Sequence, residues 1–178
     1  DSETRADKPV GSPAELRAGW EKMTDTHQFF PMLKRLNYSR HQAVTTIDAD
    51  YAWPLELDAT RALLDRAKGT GLPIMAFVGN RGCIQIHSGP IETVEPMGPW
   101  INILDKTFHM HLRLDHITQV WAVRKPTSDG HVTSLEAFGA DNKLIIQFFG
   151  QRQEGTDERA GWRSLIEALP RPNRSNAA

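Results

Sequence analysis

Apolar residues recur at helical spacing before Pro73 and switch to an extended, alternating pattern after it. Ser12-Pro13-Ala14-Glu15 predicts a helix start, with Ser as cap, Pro at the first helical position and Glu placed to bond back to the cap. Leu16, Trp20 and Met23 form one stripe, and His27 falls on it if the helix continues. Alternatively Asp25, with Gln28 three residues on, caps a second helix through Phe29, Phe30, Met32 and Leu33, where Pro31 imposes a kink or break. Both readings put His27 near a helix junction beside two Phe residues.

Ser39 with Gln42 makes another capping box, so Arg40 falls in the first turn of a short helix. Asp58 is expected to cap a helix through Leu63, Leu64 and Ala67, ended by Gly69 and Gly71 with Pro73 beyond. Strands are then predicted over Ile74 to Val78 and Cys83 to His87, joined by the hairpin signal Gly79-Asn80-Arg81-Gly82. Shorter candidates are Ile91 to Val94, Trp100 to Leu104 and Phe108 to Leu112. Ile117 to Arg124 and Val132 to Phe138 flank a turn at Asp129-Gly130, and Gly139 to Asn142 turns into Lys143 to Phe149. An amphipathic helix near Glu158 to Leu169 closes the pattern. Near-consecutive strands with short links favour antiparallel pairing, because parallel strands need long crossovers. The expected class is α+β: a large antiparallel meander sheet flanked by N-terminal helices and a C-terminal helix. The domain is expected over 13–170, with a linker at 1–12 and a tail at 171–178.

The 178 residues suit one domain or one half of a larger protein, and the polar opening without Met favours a piece of a longer chain. A net charge of -1 leaves no electrostatic footprint for nucleic acid, and no apolar run approaches a membrane span. The single cysteine, Cys83, excludes an internal disulfide and leans toward a reducing compartment. Five Trp and seven Phe supply flat apolar surface for a core and for a planar ligand.

Few residues carry chemistry on spacing alone. His109 and His111 project to one strand face, and with His116 and Asp115 nearby they are a divalent-metal candidate; a solvated strand face is the preferred reading. His41 and His87 lack a neighbouring constellation, and His131 is expected to be exposed near a turn. Cys83 is a soft ligand or redox thiol in principle, and a small strand hydrophobe by preference. No nucleophile elbow, supported carboxylate pair or dinucleotide fingerprint is present, so hydrolase and dehydrogenase chemistry has no support. A haem site needs a neutral imidazole, aromatic walls and cations for two propionates. His27 beside Phe29 and Phe30 meets the first need, although a core or surface histidine is the simpler reading of spacing alone.

Three long segments change that reading. Trp20 to Phe30 (WEKMTDTHQFF), Pro73 to Gly89 (PIMAFVGNRGCIQIHSG) and Trp121 to Glu136 (WAVRKPTSDGHVTSLE) resemble the second half of the HemS family of haem-trafficking and haem-degrading factors, over nearly the whole of 15–169. The resemblance implies a cytoplasmic protein of bacterial haem-iron uptake, two similar halves in the parent chain, and haem as cofactor with His27 on the iron. It also implies Arg40, Lys125 and Arg152 near the propionates or pocket mouth, Phe77 beside the macrocycle, and Gln147 and Phe149 as further pocket residues. Relatives can carry Tyr where this chain has Phe149, which here keeps the ring without the hydroxyl.

By the same resemblance, a distal Arg comes from the first half, which this chain does not contain. The implied partners are haem, the missing N-terminal half, a haem importer or haem oxygenase, and a second protomer; neither nucleic acid nor membrane insertion is expected. Some members degrade haem oxidatively and others deliver it, and the residues do not separate an enzyme from a carrier. The competing class is a structural half-domain that needs its N-terminal half for tight haem binding.

Overall fold

A computed structural model describes residues 11–80, 83–106 and 109–173, with backbone alone for 79, 80 and 83–87. Expectations on residues 1–10 and 174–178, on Phe108, and on the side chains of Cys83 and His87 lie outside the described residues. Gly11 is nonetheless part of the packed domain: its N–H donates to Leu36 O at 3.0 Å, and its carbonyl accepts from the Tyr38 hydroxyl. At the other end Arg171 lies over the Trp53 ring.

Helix α1 (Pro13–Glu21) has both reciprocal capping bonds, Ser12 N–H to Glu15 Oε2 at 2.7 Å and Glu15 N–H to Ser12 Oγ at 3.2 Å. It stops before His27, so the continuous-helix alternative is not realised. Asp25 instead caps a single 3₁₀ turn, Thr26–Gln28, which leads directly into α2 (Phe29–Leu36). Pro31 neither kinks nor breaks α2. It stands in the first turn, where backbone N–H groups have no intrahelical acceptor to lose. Asn37, at φ 56, ends α2, and Ser39 with Gln42 caps α3 (Arg40–Thr46) as the spacing predicts.

Strand β1 (Ala52–Leu55) was not expected, being four residues long and carrying Pro54. Its position explains the tolerance: β1 is an edge strand, paired with β7 alone, and an edge leaves one row of N–H groups without ladder duties. Helix α4 (Ala59–Thr70) follows without a side-chain cap from Asp58, and Gly71, at φ 66, ends it. The remaining elements are β2 (Ile74–Asn80), β3 (Cys83–Gly89), β4 (Val94–Met97), β5 (Trp100–Leu104), β6 (His109–Arg113), β7 (Gln119–Thr127), β8 (Gly130–Phe138), β9 (Leu144–Gly150) and α5 (Ala160–Glu167).

The α+β, antiparallel architecture is as expected, but the strands do not form one uninterrupted meander. Six make a sheet in the order β1-β7-β8-β9-β2-β3, and β4-β5-β6 form a separate three-stranded sheet. Hairpins join β2 to β3, β7 to β8 and β8 to β9 in the large sheet and β4 to β5 and β5 to β6 in the small one, and β9 returns to pair with β2. Two boundaries also move. Ile91 belongs to the core rather than to a strand, and Leu114–His116 form a 3₁₀ turn before β7.

One face of the large sheet, including Ile74, Ala76, Ala122, Leu135, Ala137 and Phe148, packs against α4, α5 and the small sheet in the main core. Alternation sends the other side chains to the opposite face. There, α1, α2 and α3 cover the β1–β7 end through a second core containing Leu16, Trp20, Phe29, Leu33, Ala43, Ala52 and Val123. Each fully buried Leu or Phe contributes about 1.5–3 kcal/mol. The Trp20 indole also donates to Arg124 O at 2.8 Å, fixing α1 on β7.

Candidate functional site

The register aligns two rows of side chains across that second face. One runs Phe77–Gln147–Glu136–Trp121, and the other Met75–Phe149–Ser134–Val123–Ala52. The helices bury the Val123–Ala52 end. At the β2–β9 end, Met75, Phe77, Gln147 and Phe149 are half-buried, and the three apolar ones stand outside both core clusters. The Phe77 and Phe149 rings meet edge to face with centroids 5.3 Å apart. This is an open apolar platform at the margin of the helical layer.

The 3₁₀ turn presents His27 with its side chain 94% exposed. Asp25 Oδ1 accepts the His27 backbone N–H at 2.8 Å and lies 2.8 Å from its Nδ1. With the proton on Nδ1, the ring donates to the carboxylate and Nε2 becomes the available ligand nitrogen. The His27 backbone N–H first, and its ring second, hold the Asp25 carboxyl below its ordinary range; Arg152 adds a smaller pull of the same sign. Arg152 itself is half-buried and donates to Thr156 O at 3.0 Å.

The two rings that follow the 3₁₀ turn diverge. Phe29 is buried against Trp20, whereas Phe30 is 61% exposed. The Arg40 guanidinium lies 5.0 Å from the Phe30 centroid and 5.3 Å from that of Phe29, and Lys125 Nζ lies 4.6 Å from Phe29. Neither cation is a solvated surface charge: both are buried. Arg40 Nη1 donates to Glu136 Oε1 at 2.6 Å, and Lys125 Nζ reaches the same oxygen at 3.4 Å. Burial pushes the Lys125 amine down, against the attraction of Glu136. Burial opposes charge on Glu136 too, but Lys125 and Arg40 outweigh it and hold that carboxyl below the usual range.

Arg40, Lys125, Phe77, Gln147 and Phe149 thus share one side of the large sheet, with Glu136 between the two cations and Gln147, and Phe29 against both cations. Two members escaped sequence reasoning. Asp25 was read only as a helix cap, although its D-x-H spacing also suits a ring partner. Glu136 was missed because it sits among apolar strand residues; a lone acid at an inward position, on a strand opposite a Lys-bearing one, was the available signal.

Other candidates disperse. His109 and His111 lie on the exposed face of β6, and His111 Nδ1 is 2.7 Å from Asn102 Oδ1. Asp115 pairs with Arg113. Among the described residues no group of three or more His, Cys, Asp or Glu side chains is placed to hold a metal ion. His41 Nε2 contacts Gln119 Oε1 at 2.9 Å. His131 is half-buried rather than exposed, because it packs toward Glu158 and Arg163, and burial lowers its pKa. A cavity of about 710 Å³ lies elsewhere, between Pro54 to Asp58, Thr118 to Trp121, and Pro172 and Asn173, and Phe77, Lys125 and His27 do not line it. Among the described residues no helix is long and apolar enough to cross a membrane.

Fold and site together define a class: an α+β domain whose sheet carries an open aromatic platform, with a carboxylate-oriented imidazole on the adjoining helical layer. Residues 37–169 match the Haemin-degrading HemS.ChuX domain, and the chain belongs to that family. It is 44% identical over 162 residues to the hemin transport protein HemS of Yersinia enterocolitica, a match covering 91% of this chain and 47% of that protein. Its structure is similar to that of the haem degrading enzyme ChuS of Escherichia coli O157:H7, with a TM-score of 0.87 and 46% identity over 90% of this chain and 48% of the other. Holo-PhuS, a haem-binding protein from Pseudomonas aeruginosa, is similar at a TM-score of 0.90 and 40% identity, covering 97% of this chain and 49% of that one. The chain spans about half the length of these relatives.

Proposed function

We propose that this chain is a haem-binding domain of bacterial haem-iron utilisation, with His27 as the iron ligand. The observation that carries the reading is the Asp25–His27 pair, which leaves Nε2 free on the helical layer that covers the same sheet face as the half-buried Phe77 and Phe149. An iron porphyrin needs that combination: one oriented imidazole and a flat apolar wall. HemS is a hemin transport protein, ChuS a haem degrading enzyme and PhuS a haem-binding protein, and these relatives supply the ligand's identity.

In this reading Phe77 and Phe149 contact the macrocycle, Gln147 lines the pocket, and Arg40, Lys125 and Arg152 offset propionate charge. When bound, haem supplies redox chemistry toward oxygen. The chain's part is to hold Nδ1 protonated on Asp25, orient the ring plane and exclude water from one porphyrin face. The parent protein acts in the cytoplasm, where it receives imported haem and passes it on or degrades it to release iron. Its partners are a haem importer or haem oxygenase and the N-terminal half.

A second reading has its own observation. The match to only about half of each relative favours a domain that needs the other half for tight binding.

Titration of ferric haem into the chain and its His27→Ala variant, followed at the Soret band, tests both readings. Saturable binding of one haem, lost or spectrally altered in the variant, is expected. Identical spectra would remove His27 as ligand, and no saturable binding in either protein would favour the incomplete half.

A further inference from the structure

Arg40, Lys125 and Glu136 form a buried charge cluster whose balance is unusual. Glu136 is 0% exposed, and both cations converge on its Oε1, while Oε2 is buried with no hydrogen-bond partner among the described residues. Two cations and one carboxylate leave a net charge of +1 in a site of low dielectric. Arg40 engages Glu136 through Nη1 alone, so the forked, two-bond geometry that a guanidinium offers a carboxylate is unused. The cluster borders the open platform: Glu136 pairs across the sheet with Gln147, which pairs with Phe77. The cations also lie against Phe29, next to the exposed Phe30.

We propose that Glu136 is an internal stand-in for a ligand carboxylate. It holds Arg40 and Lys125 while the platform is empty, and an incoming porphyrin carboxylate competes with it for the same donors. The inference rests on the haem reading of this site. Its physical content is a charge count. One ligand carboxylate brings the cluster from +1 to neutral, so the cluster selects for an anionic porphyrin edge. Glu136 sets how strongly it does so, because every donor turned to the ligand is withdrawn from Glu136. A buried carboxylate left without donors is costly, which keeps the ligand releasable. Glu136 is therefore a positioning residue that never touches iron.

The test compares ferric protoporphyrin IX with its dimethyl ester, which keeps the ring and the metal but lacks both carboxylate charges. Affinities are measured for the unaltered chain, Glu136→Gln and Lys125→Met. Glu136→Gln frees both cations, so the free acid should bind about tenfold or more tighter while the ester is unchanged, the scale expected when a charge-assisted bond is won from a competitor. Equal or weaker binding of both porphyrins by Glu136→Gln would overturn the inference and leave Glu136 a purely structural counter-ion.

If Glu136→Gln fails to fold, Lys125→Met decides. That variant reduces the cluster to a neutral Arg40–Glu136 pair and should lose about tenfold of the acid-over-ester preference. Unchanged discrimination there overturns the proposal. Saturable binding of both porphyrins by the unaltered chain with no preference for the acid defeats the inference while sparing the haem reading. Binding of neither overturns haem binding by this chain alone, the reading on which the inference rests, and favours the incomplete half.

Discussion

The carboxylate of Asp25 accepts the backbone N–H of His27 and faces its Nδ1, both at 2.8 Å, so one oxygen holds both the turn and the ring. Cap and ligand orientation are a single feature. Asp25→Asn keeps a capping oxygen but withdraws the anion from the ring. Ferric haem affinity should therefore fall by about 10-fold, the usual scale for losing a carboxylate behind a metal-bound histidine. The Soret maximum should shift, and the far-UV circular dichroism should stay the same. Unchanged affinity would mean that Asp25 only caps the turn.

Phe77 and Phe149 touch edge to face, yet neither belongs to a core cluster. Truncating Phe77 to Ala should therefore cost the folded protein less than about 2 kcal/mol, below the usual range for a core Phe. Its effect on haem binding should be larger in proportion, because the ring is a wall of the site. Thermal melts with and without haem measure both quantities. A large loss of stability without haem would assign Phe77 to the core. Phe149→Tyr should leave the apo melt unchanged and alter binding of the free-acid porphyrin more than that of its ester.

Much of this arrangement was legible because local rules agreed with tertiary ones. Both capping boxes formed as their spacing requires, and the hairpin partners follow the turn signals. What escaped the pattern was decided by long-range pairing. No strand was read at β1, whose Pro54 is accommodated by an edge position beside β7. The return of β9 to β2 has no local signal, since no short link joins them. The site divides the same way. His27, Phe77 and Lys125 lie in segments whose resemblance to a family is strong, whereas the dependence of Arg40 and Lys125 on Glu136 needs β7, β8 and α3 to be assembled first.

Acid should disable the cluster before it disables the core. Burial opposes the Glu136 charge, but Lys125 and Arg40 overcome it and depress the carboxyl in the folded state. A depressed carboxyl binds fewer protons folded than unfolded, so its stabilisation is present above the ordinary value of 4.5 and is lost as pH falls through the lower folded value. Glu136→Gln mimics the protonated form. Near neutrality it should lower stability by about 3 kcal/mol, as expected when a buried pair loses one member. The difference between the two proteins should narrow progressively below pH 4.5. A difference independent of pH down to acid unfolding would mean that the cluster carries no net ionic stabilisation.

The end of β9 supplies a prediction on the other side of the sheet. A Cβ built on Gly150 would lie 2.5 Å from Trp162 Cγ and 2.8 Å from its Cβ. Trp162 has no room to yield: it is fully buried, and its indole N–H donates to Thr133 O at 2.9 Å. Gly150→Ala must therefore displace α5 or bend the end of β9, at a cost of about 1–3 kcal/mol as in other overpacked cores. Because Gly150 pairs with Ile74 at the start of β2, the strain falls on the strand that carries Phe77. The variant should melt several degrees lower and show altered Trp fluorescence. Haem binding measured well below its melting point should weaken only slightly, since the platform face of β2 points away from Trp162. Gly150→Ala with unaltered stability would show that α5 is free to move, and α5 would then be a hinge rather than a fixed support.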